Sequence, residues 1–251
     1  MKTLTLMALI SLAGLSPLCA ATSIERVYEA EEFSGPGSDA PPDMGGVCPG
    51  LMRELKAGDS IRVLTDERGA RRDQPAVSFL LDVRSNQLLV VDHISRTYAE
   101  LSLPLKLKTV APFQAALDKE ARKIMGFSLE GPVREVPGEG IVTYEGKIAS
   151  AGRTSDVSLS CRPVAAAQAR PLLLLEAAVQ QVRGGNEWIS LLPSNQCLIL
   201  SRQVVAYLPD IKLTTREKLV KVEETDAAKL VLTPPEGYRK VTFRACTGPV
   251  R

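Results

Sequence analysis

The stretch SFLLDVRSNQLLVVDHISRTYAELSL, residues 78–103, decides the fold that we predict for this chain. Alternating apolar residues from Val77 to Val83 predict one strand, RSNQ predicts a turn, and LLVVD predicts a second strand. DHIS predicts another turn, and RTYAELSL alternates again, with Ala99, Leu101 and Leu103 on one face. The stretch therefore predicts an antiparallel meander of three strands.

The middle strand of this meander is apolar on both faces, so each face needs a cover: a helix, another sheet or a ligand. The sequence PFQAALDKEARKIMGF, residues 112–127, predicts an amphipathic helix that begins near Pro112 and ends near Gly126. We expect this helix to cover one face of the sheet with a stripe of Phe113, Ala116, Leu117, Ala121, Ile124 and Met125.

Strand patterns dominate the rest of the chain. SIERVYEAEEF and SIRVLTD predict strands before the meander, and GIVTYEGKIASAG, residues 140–152, predicts a hairpin that turns at Glu145-Gly146. SDVSLSCRP predicts a strand with Cys161 on its buried side. The last part of the chain predicts a strand, a turn at residues 224–227, a strand that ends at Pro234, and a final strand.

Residues 171–208 are ambiguous between helix and strand. Within residues 171–193 the leucine spacing fits a helix, but a turn at Gly184-Gly185 fits two strands, and we favour the strands. QCLILSRQVVAYLP, residues 196–209, predicts a short helix from its spacing of three or four. The predicted fold class is mainly β with a few helices.

The first residues are typical of a secretory signal peptide. Lys2 precedes a short apolar run that ends in small residues, and cleavage is expected after Ala20 or Ala21. The alternative, lipid modification of Cys19, is disfavoured because Leu18 stands where a small residue is required. No later window has the length of a transmembrane helix. We therefore expect residues 21–251 to form one exported domain, in the periplasm of a Gram-negative bacterium.

Four cysteines remain after the signal peptide: Cys48, Cys161, Cys197 and Cys246. In an oxidising compartment an even number predicts two disulfides, and three connectivities are open. No pair has the spacing of a zinc site, so we expect no metal. Residues 34–50 are more than half Gly and Pro and predict a loop that Cys48 would tether.

The composition disfavours nucleic acid and sugars as partners. The formal net charge is only +2, and aromatic residues, on which bases and sugars stack, make up 4% of the chain.

The chain also shows few of the residue patterns that catalytic sites use. No phosphate-binding or dinucleotide-binding glycine pattern is present, and we expect no cofactor. His93 is the single histidine and lies beside Asp92 in a predicted turn, so we expect a surface role for it. The alternative is a hydrolase that uses His93 as its base.

The order of these patterns resembles the secreted bacterial proteins related to the LolA/LolB lipoprotein-carrier superfamily. The features that carry the resemblance are the charged strand SIRVLTDERGARRD, the apolar hairpin that leads into RTY, the tryptophan strand NEWISLLP, and the closing PEGYRKV. The resemblance implies a strongly curved antiparallel half-barrel with helices over its concave face, and a cavity for acyl chains. The four cysteines and the loop at residues 34–50 depart from the carrier pattern.

Two functions are therefore expected from different classes. The first is a non-enzymatic periplasmic protein that holds a lipid or a lipoprotein acyl chain. The second is an envelope domain with a closed core that works through protein partners. For the first function, the residues expected near the cavity are Phe79, Leu81, Leu89, Val91, Leu101, Phe113, Leu117, Ile124 and Trp188.

Overall fold

The structure, a computed structural model, describes residues 20–32, 55–103, 128–138, 140–150, 153–183, 196–207 and 212–243. The predicted helix at residues 112–127, the loop at residues 34–50 and Trp188 lie outside the described residues.

The described residues form one large open sheet, one α-helix and one short 3-10 turn. In chain order the elements are β1 (Ala20–Glu32), β2 (Ser60–Asp66), β3 (Gly69–Asp73), β4 (Val77–Asp82), β5 (Gln87–Asp92), β6 (Thr97–Ser102), β7 (Ser128–Gly138), β8 (Ile141–Ser150), β9 (Arg153–Pro163), α1 (Ala166–Arg183), β10 (Cys197–Tyr207), β11 (Lys212–Asp226), the 3-10 turn (Ala227–Lys229) and β12 (Arg239–Lys240). The prediction of a mainly β fold is confirmed.

The 12 strands lie in the order β12-β6-β5-β4-β3-β2-β1-β11-β10-β9-β8-β7. All neighbours are antiparallel except β12, which runs parallel to β6. Strands β1 to β6 are a sequential meander, strands β7 to β11 are a second one, and the long pairing of β1 with β11 joins them. The first described strand therefore lies in the middle of the sheet.

The predicted meander at residues 77–103 is confirmed as β4, β5 and β6. Asp82 and Asp92 organise its two turns: each carboxylate accepts hydrogen bonds from the backbone N–H groups two and three residues later. Asn86 and Arg96 end these turns in the left-handed region, at φ 52° and 53°. Burial opposes ionisation of Asp82, but hydrogen bonds from the Ser85 hydroxyl and the turn N–H groups lower its pKa.

Both faces of the meander are covered, as its sequence requires. Side chains of one face pack with Leu175, Ala178 and Val179 of α1. On the opposite face, Leu80, Leu89 and Val91 pack with Tyr98, Leu232 and Tyr238. The C-terminal segment after β11 is therefore the second cover. A third cluster joins Ala169, Leu172 and Leu173 of α1 to strands β8 to β10 and to β1 and β2.

Several predicted elements were wrong. Residues 171–183 form part of α1, where Leu172, Leu175 and Val179 are buried at helical spacing, so the strands favoured there are overturned for this part. Residues 197–207 are strand β10, because pairing with β9 and β11 overrides their helix-like spacing. Glu145-Gly146 lies inside the continuous strand β8, so the predicted hairpin turn is wrong.

The strand predicted to end at Pro234 is also absent from the described residues 227–238, which hold the 3-10 turn and irregular chain. Asp226 caps this 3-10 turn by accepting a hydrogen bond from the backbone N–H of Ala228 at 2.8 Å. Within the described residues, no helix combines the length and the apolar character needed to cross a bilayer.

Candidate functional site

A network of charged side chains lies buried between α1 and the sheet. Arg26 from β1, Arg72 from β3, Glu176 from α1 and Glu217 from β11 are each at most 3% exposed. Arg202 from β10 joins them with a side chain that is 22% exposed. Five elements that are distant in sequence therefore place charges at one point, directly beneath the helix.

Arg26 is fully paired. Its Nη1 donates to Oε1 of Glu176 and to Oε2 of Glu217, both at 3.0 Å. Its Nε and Nη2 donate to the carbonyl oxygens of Leu200, at 2.9 Å, and of Ile199, at 2.6 Å. The register of β10 against β9 shifts between Ile199 and Ser201. This bulge leaves the two carbonyl groups available, so a local irregularity of the sheet builds the arginine site.

Arg72 connects the same two carboxylates. Its Nη2 donates to Oε1 of Glu217 at 2.8 Å, and its Nη1 donates to Oε1 of Glu176 at 2.9 Å and Oε2 at 3.0 Å. Burial alone would lower the pKa of Arg72, but Glu176 and Glu217 more than offset it and raise the pKa above the ordinary value. The guanidinium is therefore charged at every pH at which the protein is folded.

Glu217 receives three guanidinium groups. In addition to Arg26 and Arg72, Nη2 of Arg202 donates to its Oε1 at 2.7 Å. Burial would raise the pKa of Glu217, but the charges of Arg202, Arg72 and Arg26 hold it well below its usual range. Glu217 is therefore an ionised carboxylate in the interior, and its arginine partners make this burial tolerable.

The network fixes the position of α1 on the sheet. Glu176 is its helical member, and Arg26 and Arg72 both bind it. An unpaired buried charge is costly, so a shift of α1 that separated Glu176 from both arginines would be strongly unfavourable. Apolar packing alone has no such directional preference. The network therefore supplies the orientation of the helix.

His93 belongs to a second polar chain, which lies on the opposite face of β3 and β4 from the buried network. Oγ of Ser78 lies 2.5 Å from Oδ1 of Asp73 and 2.7 Å from Nε2 of His93. Nδ1 of His93 lies 3.0 Å from the hydroxyl of Tyr238. The predicted turn position of His93 is confirmed, but its side chain is tied to two other elements rather than left in solvent.

The direction of these hydrogen bonds differs from that of a nucleophile with its base. The Ser78 hydroxyl has one proton, and the Asp73 carboxylate can only accept, so Ser78 donates to Asp73. Nε2 of His93 must then donate to Ser78, and in the neutral ring Nδ1 accepts from Tyr238. A general base would instead accept the serine proton. Ser78 is also only 1% exposed, so this chain is built to hold Tyr238 against the meander.

The residues predicted to line a cavity lie on two faces of the sheet. Phe79 and Leu81 are buried on the α1 face, and Leu101 is partly buried beside them. Leu89 and Val91 lie on the opposite face, beneath Tyr238. One pocket therefore cannot contain both groups. Phe113, Leu117, Ile124 and Trp188 lie outside the described residues.

The α1 face continues into an apolar rim that is only partly covered. The partly buried side chains that pack against this cluster are Val83, Leu101, Leu103, Val182, Val241 and Phe243. They come from β6 and the residue that follows it, from the end of α1, from the segment after β12 and from the turn after β4. The apolar surface beneath the helix thus reaches the exterior at one end of the meander.

One of the two predicted disulfides is present, and the structure decides its connectivity, which the sequence left open. Cys161 and Cys197 form a disulfide that joins β9 to β10, and both residues are buried. Cys48 and Cys246 lie outside the described residues. Within the described part of the chain, no group of three or more His, Cys, Asp or Glu side chains is arranged to hold a metal ion.

Sequence reasoning missed the buried network, although a local signal for it exists. Arg26 follows Ile24 by two residues and Arg72 follows Ala70 by two, so each arginine occupies an inward position of its strand. Glu176 interrupts the apolar run LLLLEAAV of α1. A charge at a position that the pattern assigns to the core predicts a buried partner of opposite charge.

Comparisons with known proteins assign no family to this chain: no protein-family model matches the sequence, and no curated protein matches it. Its function is therefore argued from its residues and their geometry.

Proposed function

We propose that this protein is a non-enzymatic binding protein of the bacterial periplasm that holds an acyl chain, from a lipid or a lipoprotein. The acyl chain lies against the α1 face of the meander and enters at the apolar rim. The observation that carries this proposal is the continuity between the buried cluster of Phe79, Leu81 and Leu88 and the partly exposed side chains of the rim. An apolar surface that runs from core to exterior is the surface that an acyl chain requires.

The burial of an acyl chain would contribute enough free energy to support binding. Each methylene group removed from water contributes about 0.8 kcal/mol, so ten of them contribute roughly 8 kcal/mol. Association itself costs about 4 kcal/mol or more. By the same count, a chain of 12 to 16 carbons buried along the α1 face would contribute roughly 10–13 kcal/mol, which leaves at most about 6–9 kcal/mol and a dissociation constant in the micromolar range at best.

The position of α1 supports the curved half-barrel implied by the resemblance to the LolA/LolB superfamily. The helix approaches β10 on one side and β2, β3 and β4 on the other. Strands β1 and β11 lie between these in the sheet. From β11 the side chain of Glu217 reaches both Arg72 of β3 and Arg26 of β1 beneath the helix. A sheet that is concave towards α1 produces this arrangement.

The test is to detect a ligand and to displace it. Native mass spectrometry of protein purified from the periplasm should find bound acyl species, and a dye that fluoresces in apolar pockets should bind and be displaced by laurate. Leu101→Gln at the rim should weaken dye binding by about threefold to tenfold, because it places an amide on the apolar surface. Ile94→Gln is the matched control, because Ile94 is 56% exposed and lies in the turn before β6.

A second candidate function is an envelope domain with a closed core that acts through protein partners. The complete burial of Phe79 and the orientation of α1 by the ion network favour it. Purified protein that carries no acyl species, binds no dye and gains no thermal stability from laurate would overturn the first proposal in favour of this one.

A further inference from the structure

We propose that Nε of Arg72 marks a site for a singly charged carboxylate, so that the ligand is a fatty acid or another anionic amphiphile rather than a neutral lipid. This inference rests on the proposed function, because it assigns the headgroup of the same ligand. It comes from one atom of the buried network that the network itself does not use.

Among the described residues, Nε of Arg72 is the one buried side-chain nitrogen or oxygen without a hydrogen-bond partner. The other nitrogens of this guanidinium bind Glu176 and Glu217. Arg26 in the same network satisfies every one of its nitrogens. Buried N–H groups in native proteins are almost always paired, and a charged one is the most costly to leave unpaired. An acceptor at this position would complete the network.

The position of Arg72 places such an acceptor beside apolar surface. In the sheet, Arg72 lies opposite Val63 of β2 on one side and opposite Phe79 of β4 on the other. Both neighbours are fully buried, and Phe79 belongs to the cluster that extends to the rim. Nε lies nearer to the strand than the two terminal nitrogens do. An acceptor at Nε would therefore lie beside the apolar cluster of the α1 face.

The chemistry of the site favours a carboxylate over other headgroups. A hydrogen bond between a guanidinium and a carboxylate is charge-assisted and about twice as strong as one to a neutral oxygen. An alcohol or a glyceride ester would satisfy Nε more weakly. The network holds three arginines, Arg26, Arg72 and Arg202, against the two carboxylates of Glu176 and Glu217, so its formal charge is +1. A doubly charged phosphate would leave one negative charge buried without compensation. One negative charge is therefore the best match.

The experiment compares laurate with dodecanol on the full-length, delipidated protein, by dye displacement at pH 7. The native protein should prefer laurate by about 10-fold, as expected for the difference between a charge-assisted and a neutral hydrogen bond. Arg72→Lys keeps the positive charge but removes Nε from the stem, and should reduce the preference to less than about threefold. Arg71→Lys is the matched control, since it makes the same substitution one residue away on β3 at an arginine that pairs with Asp73 outside the buried network, and should keep the preference.

Each outcome decides between the proposals. Equal affinity for laurate and dodecanol in the native protein would overturn the carboxylate site and leave the acyl-binding function standing, whereas binding of neither would overturn both. Loss of the preference in Arg71→Lys as well as in Arg72→Lys would also overturn the site. Thermal stabilisation of the native protein but not of Arg72→Lys by acetate would support the same site with a free anion as its occupant.

If Arg72→Lys fails to fold, NMR of the native protein tests the site instead. In a ¹⁵N-labelled sample, laurate should shift one arginine Nε–H resonance, and dodecanol should leave that resonance in place. Arginine Nε–H resonances that respond equally to both ligands would overturn the site.

Discussion

Replacing Glu217 by glutamine should destabilise the protein by about 3–5 kcal/mol, the cost expected when one partner of a buried ion pair is removed. Glu217 accepts from Arg26 at 3.0 Å, from Arg72 at 2.8 Å and from Arg202 at 2.7 Å. At roughly 1.5–3 kcal/mol for a charge-assisted hydrogen bond, and with one bond counted for each of the three arginines, these contacts contribute about 4.5–9 kcal/mol before any compensation.

Two effects reduce that gross value. The amide oxygen of glutamine still accepts hydrogen bonds, and the variant no longer has to remove a carboxylate from water on folding. The remaining cost is that of two buried positive charges, on Arg26 and Arg72, which would share a single carboxylate, that of Glu176. Since native domains are stable by about 5–15 kcal/mol, this cost is a large fraction of the total.

Denaturant unfolding followed by circular dichroism, with the disulfide kept intact, measures this free energy. Glu223→Gln is the control, because Glu223 lies on the same strand, is exposed and pairs with exposed Lys221. The control should unfold at the same denaturant concentration as the native protein. A loss of stability in Glu217→Gln no larger than that of the control would refute the view that the network orients α1.

Three further predictions concern pH, packing and cross-linking. The pKa of Glu217 is held well below its usual range by Arg202, Arg72 and Arg26, against the effect of burial, so its contribution to stability is complete above about pH 4.5 and falls as the pH drops towards the folded-state pKa. The stability difference between the native protein and Glu217→Gln should therefore shrink between pH 5 and pH 3 in denaturant titrations, and a constant difference would contradict this. Gly69→Ala should cost about 1–3 kcal/mol, because a Cβ there would lie 2.0 Å from the carbonyl oxygen of Leu81, and a thermal midpoint equal to that of the native protein would count against the close approach of β3 and β4. Peptide mapping under non-reducing conditions should recover Cys161 linked to Cys197, and replacing both by serine should lower stability by about 3–4 kcal/mol, as expected for a closed loop of 36 residues; recovery of either cysteine with another partner would overturn the pairing.

The sequence by itself determined the parts of this fold in which neighbours along the chain are also neighbours in space. The meander β4 to β6 follows from a period of two between turn residues, and each of its turns is closed by an aspartate within three residues. The inward direction of Cys161 follows from the same alternation. Here the pattern of side chains and the local hydrogen bonds favour the same structure.

Tertiary structure decided residues 171–183 and 197–207. Both segments carry apolar residues at spacings that fit more than one element. Strand β10 became a strand because β9 and β11 offer hydrogen-bond partners on both of its sides, and neither partner can be identified from the segment itself. Helix α1 had no such partners, and its buried side chains face two clusters of the sheet at once.

The candidate site also belongs to tertiary structure. The pattern marks Arg26, Arg72 and Glu176 as charges at inward positions, but their contacts span sequence separations of 104 to 150 residues. Which charge meets which depends on the pairing of β1 with β11 in the middle of the sheet and on a bulge in β10 that turns two carbonyl groups towards Arg26. The periodicity of the sequence indicates which face of the sheet a side chain lies on. The identity of its partner depends on how distant strands pair, and this pairing is determined only when the whole sheet forms.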